Sequence, residues 1–369
     1  MGKLGLFIEE IAEKTTKNNQ YEVLTSSQNG IISQEEYFNK QVASVDNTGY
    51  KIIRRGQFTY RSMSDTGRFY INRLINKEVG IVSPAYPVFK LVSNKLDPEY
   101  LELFFQSEAF QRQISDKSSG STRLALRFAK LKNVEIDVPS IEIQRRIVST
   151  IKKVKATIST EDNELVFCDE LIKSRFNEMF GKNIPLVKIG EVLTTTSGGT
   201  PAKGKNEYYV GGTIPWLCSG EVNAGIITEV KNRITELGLK NSSAKWIPEN
   251  SVVVAMYGAT AGKVGLLKIK TTTNQAVCSI LPNSKFIPEF LYYAVGSKTE
   301  ELVSKAWGGA QPNISQGIIK NTLIPYPKLD EQRQFADFVK SVDKLKFNVQ
   351  KRIEKYKELL NKKMDEYFN

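Results

Sequence analysis

Histidine is absent from all 369 residues, and only three cysteines, Cys168, Cys218 and Cys278, are scattered through them. Without imidazole, neither a histidine-based zinc hydrolase site nor a serine or cysteine protease built on a histidine base can be assembled. Three isolated cysteines are too few for a disulfide framework or a thiolate zinc cluster. No apolar run reaches the length that spans a bilayer, and the N-terminus has no signal-peptide core. A reducing cytoplasm, with no membrane partner, is therefore the expected setting. Acidic residues are the minority among the charges, 40 against 52 Lys and Arg, and the surplus of 12 cations suits a polyanionic partner without demanding one.

Catalytic and cofactor signatures are missing too. The stretch Gly258-Ala259-Thr260-Ala261-Gly262-Lys263-Val264 imitates a phosphate loop, but one residue is lacking between the glycines and valine stands where the magnesium-binding hydroxyl belongs. A β-hairpin tip that carries one cation is the better reading. Asn321-Thr322-Leu323-Ile324-Pro325-Tyr326 lacks the paired prolines of adenine methyltransferases, and no Gly-x-Gly-x-x-Gly loop sits between a strand and a helix. No cofactor, metal or catalytic residue is expected. A self-contained sequence-specific endonuclease or nickase, using scattered carboxylates, stays open as the alternative, because that pattern is too degenerate to weigh.

What the chain does contain is a stretch written twice. A shift of 188 residues superposes Gly120 on Gly308, Leu126 on Ile314, Asn133 on Asn321, Pro139 on Pro327, Gln144 on Gln332, Arg145 on Arg333 and Phe180 on Phe368 without a gap. Steps of four and three pick out Ile147, Ile151, Val154, Ile158, Glu161, Leu165, Cys168, Ile172, Arg175 and Met179 in the first copy. The second copy has Phe335, Val339, Val342, Lys346, Val349, Ile353, Tyr356, Leu360, Lys363 and Tyr367, so all but two positions in each are apolar or aromatic. That periodicity predicts two coiled-coil helices of about forty residues, each roughly 60 Å long, packed on each other to hide the seam.

The blocks before the helices also correspond. Residues 94–101 match 284–291 at a shift of 190, and 58–68 match 253–263 at 195, as small loop insertions would produce. In the first block, strands are expected at 50–53, 57–60, 68–71 and 80–91, and a short helix or strand-turn element at 5–15. A helix over 100–114 opens at Asp97-Pro98-Glu99, a turn follows at Ser118-Ser119-Gly120-Ser121, then a helix over 124–131 and a strand over 134–138. The expected organisation is α+β: two globular domains (1–139 and 183–327), each followed by a long helix (140–182 and 328–369), the helices pairing antiparallel with pseudo-two-fold symmetry. Such a ruler with a head at each end suits DNA, whose half-sites are read at a spacing fixed by the protein.

Cations gather in both heads. Lys51, Arg54, Arg55, Arg61, Arg68, Arg73 and Lys77 lie within one stretch beside a single acid, Asp65, with Tyr60, Phe69 and Tyr70 interleaved. The second head offers Lys240, Lys245, Lys263, Lys268 and Lys270, with Trp246 and Tyr257 nearby. Such sets release counterions from phosphates, and Arg can fork onto base edges. A solvated strand face explains any single one of them equally well.

Finally, Ser197-Gly198-Gly199-Thr200-Pro201, Ile214-Pro215-Trp216, Gly308-Gly309-Ala310-Gln311-Pro312-Asn313, Pro325-Tyr326-Pro327 and Glu331-Gln332-Arg333 closely resemble the specificity subunits of type I restriction-modification systems. Gly80-Ile81-Val82-Ser83-Pro84-Ala85-Tyr86-Pro87 is similar to the same family, although the first head lacks the Ser-Gly-Gly-Thr-Pro and Ile-Pro-Trp pieces. The resemblance implies two α/β target recognition domains, each reading half of a bipartite, asymmetric DNA target, and helices that fix the gap. It also implies docking of methyltransferase subunits, in two copies, with restriction subunits attached through them, on a chain that has no active site. The DNA-contact candidates are Arg54, Arg55, Arg61, Arg68, Arg73, Ser197, Thr200, Lys203, Lys245, Tyr257, Lys263 and Gln311, with Trp216 weighted toward the core. Gln144, Arg145, Gln332 and Arg333 are the candidates for contact with partner subunits.

Overall fold

The computed structural model describes residues 2–37, 46–115, 124–306 and 313–369. The expected turn at Ser118-Ser119-Gly120-Ser121 lies outside them. Two compact units emerge: Met1–Asp162 with Gln350–Asn369, and Asn163–Val349. The long helices run Ile141–Phe180 and Leu329–Phe368, so the division falls inside each helix instead of at its ends.

In the first unit, strand Val88–Leu91 is flanked by Ile8–Ile11 and Phe58–Thr59, with Asn72–Arg73 beyond, all antiparallel. Smaller pairs join Lys51–Arg54 to Val79–Val82 and Leu24–Ser27 to Gly30–Ser33. Residues 80–91 thus hold two strands, parted at Pro84, because a proline in mid-strand leaves a ladder bond unmade. The helical stretch over 100–114 is likewise two helices. Asp97 caps Pro98–Gln106 by accepting from the Glu99 and Tyr100 amides, and Ser107 ends that helix and caps Glu108–Ile114 by accepting from the Phe110 amide. Residues 124–131 give only a short strand, Leu124–Ala125, and a helix at Phe128–Lys132. The extended segment expected at 68–71 becomes a strand two residues later, at Asn72–Arg73.

The core of this unit is aromatic. Phe58, Phe89, Phe104, Phe105, Phe110 and Tyr100 are buried together with Ile147 and Ile151 of the first long helix, and Leu360, Met364 and Phe368 of the second pack against them. Each buried ring contributes about 2 kcal/mol or more.

The second unit repeats this plan with larger sheets. Strand Val277–Ile280 is flanked by Thr195–Ser197 and Val252–Ala255, as Val88–Leu91 is flanked in the first unit, and Val264–Leu267 and Ile226–Ile227 extend that sheet. A second sheet orders Arg233–Ile234, Ile214–Leu217, Thr271–Thr273 and Trp246–Ile247. Leu186–Lys188 pairs with Leu323–Pro325 where Gly2–Lys3 pairs with Glu135–Ile136. Even a steric detail recurs: a methyl on Gly5 would meet Lys132, and one on Gly190 would meet Lys320, 188 residues later.

Within each unit the long-helix segments lie together. In the second, Asp169 pairs with Lys346 at 2.6 Å while Phe176 meets Phe335, so rising numbers on one helix face falling numbers on the other and the packing is antiparallel. Two polar interruptions of the seam have partners on the opposite helix. Glu161, 13 % exposed, meets Arg352 at 2.7 Å in the first unit, and Lys346 holds Asp169 in the second.

Candidate nucleic-acid interface

The cations of the first unit are less free than their sequence suggests. Folding brings carboxylates onto them: Glu10 to Lys51 at 3.6 Å, Glu13 to Arg54 at 2.6 Å and Glu108 to Arg68 at 2.5 Å from distant segments, and Glu78, which directly follows the stretch, to Arg55 at 2.5 Å. Lys77 pairs with Glu22. Arg73 is the most committed. Its side chain is 16 % exposed, and its Nε and Nη2 donate to the two oxygens of Glu102, each at 3.1 Å. Burial pushes the Glu102 carboxyl above its ordinary range, with Arg73 pulling it back. Among the described residues, Arg61 alone of the seven has no ion pair, and it is exposed. Tyr60 and Phe69 belong to the core, and Tyr70 is exposed. Exposed pairs of this kind are weak and can open toward phosphates, whereas the two-point Arg73 contact holds the strand to helix Pro98–Gln106.

The second unit differs. Lys203, Lys245 and Lys263 are exposed and make no ion pair among the described residues. Lys270 stands 4.9 Å above the indole of the half-exposed Trp246. Lys268 is bound to Glu289 at 2.7 Å, and it stands 195 residues after Arg73, whose own partners lie on the equivalent helix.

Lys263 sits where the sequence places it, beside the tip of the hairpin made by Val252–Ala255 and Val264–Leu267. Gly258 (φ 78°) and Gly262 (φ 81°) supply the left-handed turns, which explains the false phosphate loop. Tyr257, exposed at the same tip, bridges to Asn313.

The Ser-Gly-Gly-Thr-Pro loop follows strand Thr195–Ser197, which ends on Ser197. Its glycines are needed for close approach: a methyl on Gly198 would fall 1.9 Å from the Thr273 carbonyl oxygen, and one on Gly199 would fall 2.5 Å from Ala244 N. The indole N–H of the buried Trp216 donates to the Gly199 carbonyl at 3.0 Å, so this tryptophan pins the loop from within the core. The Thr200 hydroxyl donates to Gln275. Gln311 lies outside the described residues. The DNA-contact candidates of this unit therefore fall on one hairpin, one glycine loop and the edge strand Trp246–Ile247 beside Lys245.

Gln144 and Gln332, expected to meet partner subunits, do something else. Both side chains are fully buried. The Gln144 amide donates to the carbonyls of Lys95 (2.8 Å) and Pro139 (2.7 Å) and accepts from the Asp97 amide (2.8 Å). Gln332 does the same to Lys285 (3.1 Å), Pro327 (3.1 Å) and Ile287 (2.8 Å). Each glutamine satisfies three backbone groups at the start of a long helix and has no surface to offer, which corrects that expectation. The neighbouring Arg145 and Arg333 are exposed. Among the described residues, no group of three or more carboxylates or thiols is placed to hold a metal ion, and no helix is long and apolar enough to cross a membrane.

Comparison with known proteins bears on this arrangement. The family described as the type I restriction modification DNA specificity domain matches twice, over residues 8–166 and 182–358. The specificity subunit of the Escherichia coli type I restriction enzyme EcoR124I/EcoR124II is 26 % identical over 241 residues, covering 62 % of this chain and 58 % of that one. The MjaIX specificity subunit of Methanocaldococcus jannaschii is 30 % identical over 178 residues, 47 % of this chain and 41 % of that one. The chain thus matches about three-fifths and two-fifths of the length of these relatives. Among solved structures, a chain from work on complex assembly and conformational transition of the type I R-M system superposes with a TM-score of 0.67 at 20 % identity, covering 99 % of this chain and 96 % of that one. The S subunit from M. genitalium gives 0.50 at 14 % identity, with coverage of 100 % and 95 %. At such identities these structures speak to the fold.

Proposed function

The chain belongs to the type I restriction modification DNA specificity family, and from that premise we propose that it is the noncatalytic subunit that chooses the DNA sequence for a restriction-modification complex. Each globular domain reads one half of a bipartite target, and the halves differ because the two sets of loops differ. The long helices fix the gap. Methyltransferase subunits dock on this chain, and restriction subunits attach through them. The observation that carries the reading is the doubled family match, one copy before and one after residues 167–181 of the first long helix. The duplicated glutamine anchors support it, because they fasten unlike heads to like helices in the same way.

Half-site readout rests on different surfaces in the two units. In the second, Lys203, Lys245 and Lys263, which make no ion pair among the described residues, accompany Ser197, Thr200 and Tyr257. In the first, Arg61 has no ion pair among the described residues, while Arg54, Arg55 and Arg68 reach phosphates by exchanging their glutamates. Mapping of modified bases across a genome, with and without this chain, tests the proposal. The expected result is a two-part asymmetric motif that disappears when the chain is removed. An unchanged modification pattern, or magnesium-dependent cleavage by the isolated chain, would reject it.

A further inference from the structure

The apolar seam of the long helices does not by itself decide which helix pairs with which. In the second unit Phe176 meets Phe335. At the 188-residue shift Phe335 corresponds to Ile147 and Phe176 to Met364. Two copies of the first helix would therefore set Phe176 against Ile147, and two copies of the second would set Phe335 against Met364. The heads are no more particular. Leu360, Met364 and Phe368 pack on the core of the first unit, and their counterparts Ile172, Phe176 and Phe180 are apolar too and serve the core of the second. As oily surfaces, like pairs would do as well as unlike ones.

The charges within the seam do discriminate. Glu161, 13 % exposed, holds Arg352 at 2.7 Å, and Lys346, 27 % exposed, holds Asp169 at 2.6 Å. Neither ion pair survives like pairing in the same register. Arg352 corresponds to Glu164, so in two first helices each Glu161 would meet a glutamate; Asp169 corresponds to Lys357, so in two second helices each Lys346 would meet a lysine. Each clash occurs twice, because a like pair has a two-fold axis. The surroundings have the same sense. Residues 344–357 hold the cations Lys344, Lys346, Lys351, Arg352, Lys355 and Lys357 and one acid, Glu354. The register set by Glu161 and Arg352 lays this stretch along 156–169, which hold Glu161, Asp162, Glu164 and Asp169 and no base. In a pair of second helices the cationic stretch would instead lie along its own copy. Asp343, bordering the stretch, runs against the pattern: burial raises its carboxyl, Lys346 draws it back and Asp169 adds to the rise. Charges flanking a helical seam set the choice of partner by rewarding one pairing and penalising the others.

We propose that this charged middle selects the pairing: the first long helix accepts a second long helix, from its own or another copy of the chain, and each helix rejects its own kind. Every assembled molecule then carries one head of each sort. The selection depends on the helix packing and not on what the heads bind. It is tested on the full chain with a protease site inserted at the exposed residues 181–183, folded first and then cut there. Isotope-labelled and unlabelled batches of cut protein are mixed until the label is shared, and native mass spectrometry counts the pairs. Unlike pairs should exceed about nine in ten, against about one in two for indifferent pairing. Glu161→Arg together with Lys346→Glu should invert the preference, because the new arginine meets Glu164 in a pair of first helices and the new glutamate meets Lys357 in a pair of second helices. A wild type that pairs indifferently, or a doubly changed protein that keeps its unlike pairs, overturns the proposal. Melting of the uncut chain needs no exchange of halves. Glu161→Arg should lower its midpoint by about 3 °C, and adding Arg352→Glu should restore most of the loss. An Arg352→Glu change that deepens the loss, or a Glu161→Arg protein that melts with the wild type, overturns the proposal as well.

Discussion

Replacing Gln332 by alanine tests whether the buried glutamines hold the fold or meet partners. The substitution leaves the Ile287 N–H and the carbonyls of Lys285 and Pro327 without their partner, in a site that water does not reach. Each stranded backbone group costs on the order of 1 to 3 kcal/mol, and the carbonyls fall at the low end because they keep a second lone pair. A total of about 3 to 5 kcal/mol follows, which for a unit of this size lowers the melting temperature by on the order of 10 °C. Gln332→Glu sharpens the test. It keeps the bond from the Ile287 amide but turns a carboxylate toward two carbonyl oxygens, so its folded-state pKa rises above the unfolded value. The loss is then full above that raised pKa and shrinks as pH falls through it. Differential scanning calorimetry of the full chain at neutral pH and near pH 5 reads both effects. Arg333→Ala, at the next and exposed position, should change stability by no more than about 0.5 kcal/mol. A Gln332→Ala protein that melts with the wild type yet loses subunit binding would refute the argument and restore the docking role.

Arg73→Ala strands the Glu102 carboxylate in a half-buried site and should destabilise the first unit by about 1 to 3 kcal/mol at neutral pH. Because burial raises the Glu102 pKa, part of that loss should return as pH falls through it, which thermal melts at two pH values would show. Replacing Lys203, Lys245 and Lys263 together by alanine should flatten the salt dependence of DNA binding by up to about 3 log units per log unit of salt, near 0.9 for each phosphate left without its cation. Arg73→Ala should leave that slope alone, and filter-binding titrations across salt compare them. Gly262→Ala should cost more stability than Gly258→Ala, because both need a positive φ but only Gly262 would push its methyl to 2.7 Å from Val303. Denaturant melts giving the reverse order would contradict that geometry.

The long helices are legible because their seam repeats over many turns and occurs twice; they begin at Ile141 and Leu329, beside the expected starts. The glutamines also leave a trace. Three residues before Ile147 and Phe335 the seam predicts core positions, and Gln144 and Gln332 occupy them, so polarity disguises two buried side chains. Composition marks the short strands around Phe58 and Val88 but not the break at Ser107, since a serine within an apolar helical run reads as a tolerated guest until its hydroxyl is seen capping the next helix. The cationic stretch of the first head is the least readable. Glu78 directly follows the stretch, but its other counter-charges, Glu10, Glu13, Glu22, Glu102 and Glu108, lie elsewhere in the chain and only folding brings them to it.

The way the compact units divide the chain also sets an order of assembly. Asn163–Val349 is one uninterrupted stretch and can close its core as soon as it has been synthesised. Met1–Asp162 cannot, because Leu360, Met364 and Phe368, which pack on its aromatic core, are synthesised only after the whole of the second unit. The half made first is therefore finished second, and until then it waits with an apolar flank uncovered, the interval in which a nascent chain most needs a chaperone.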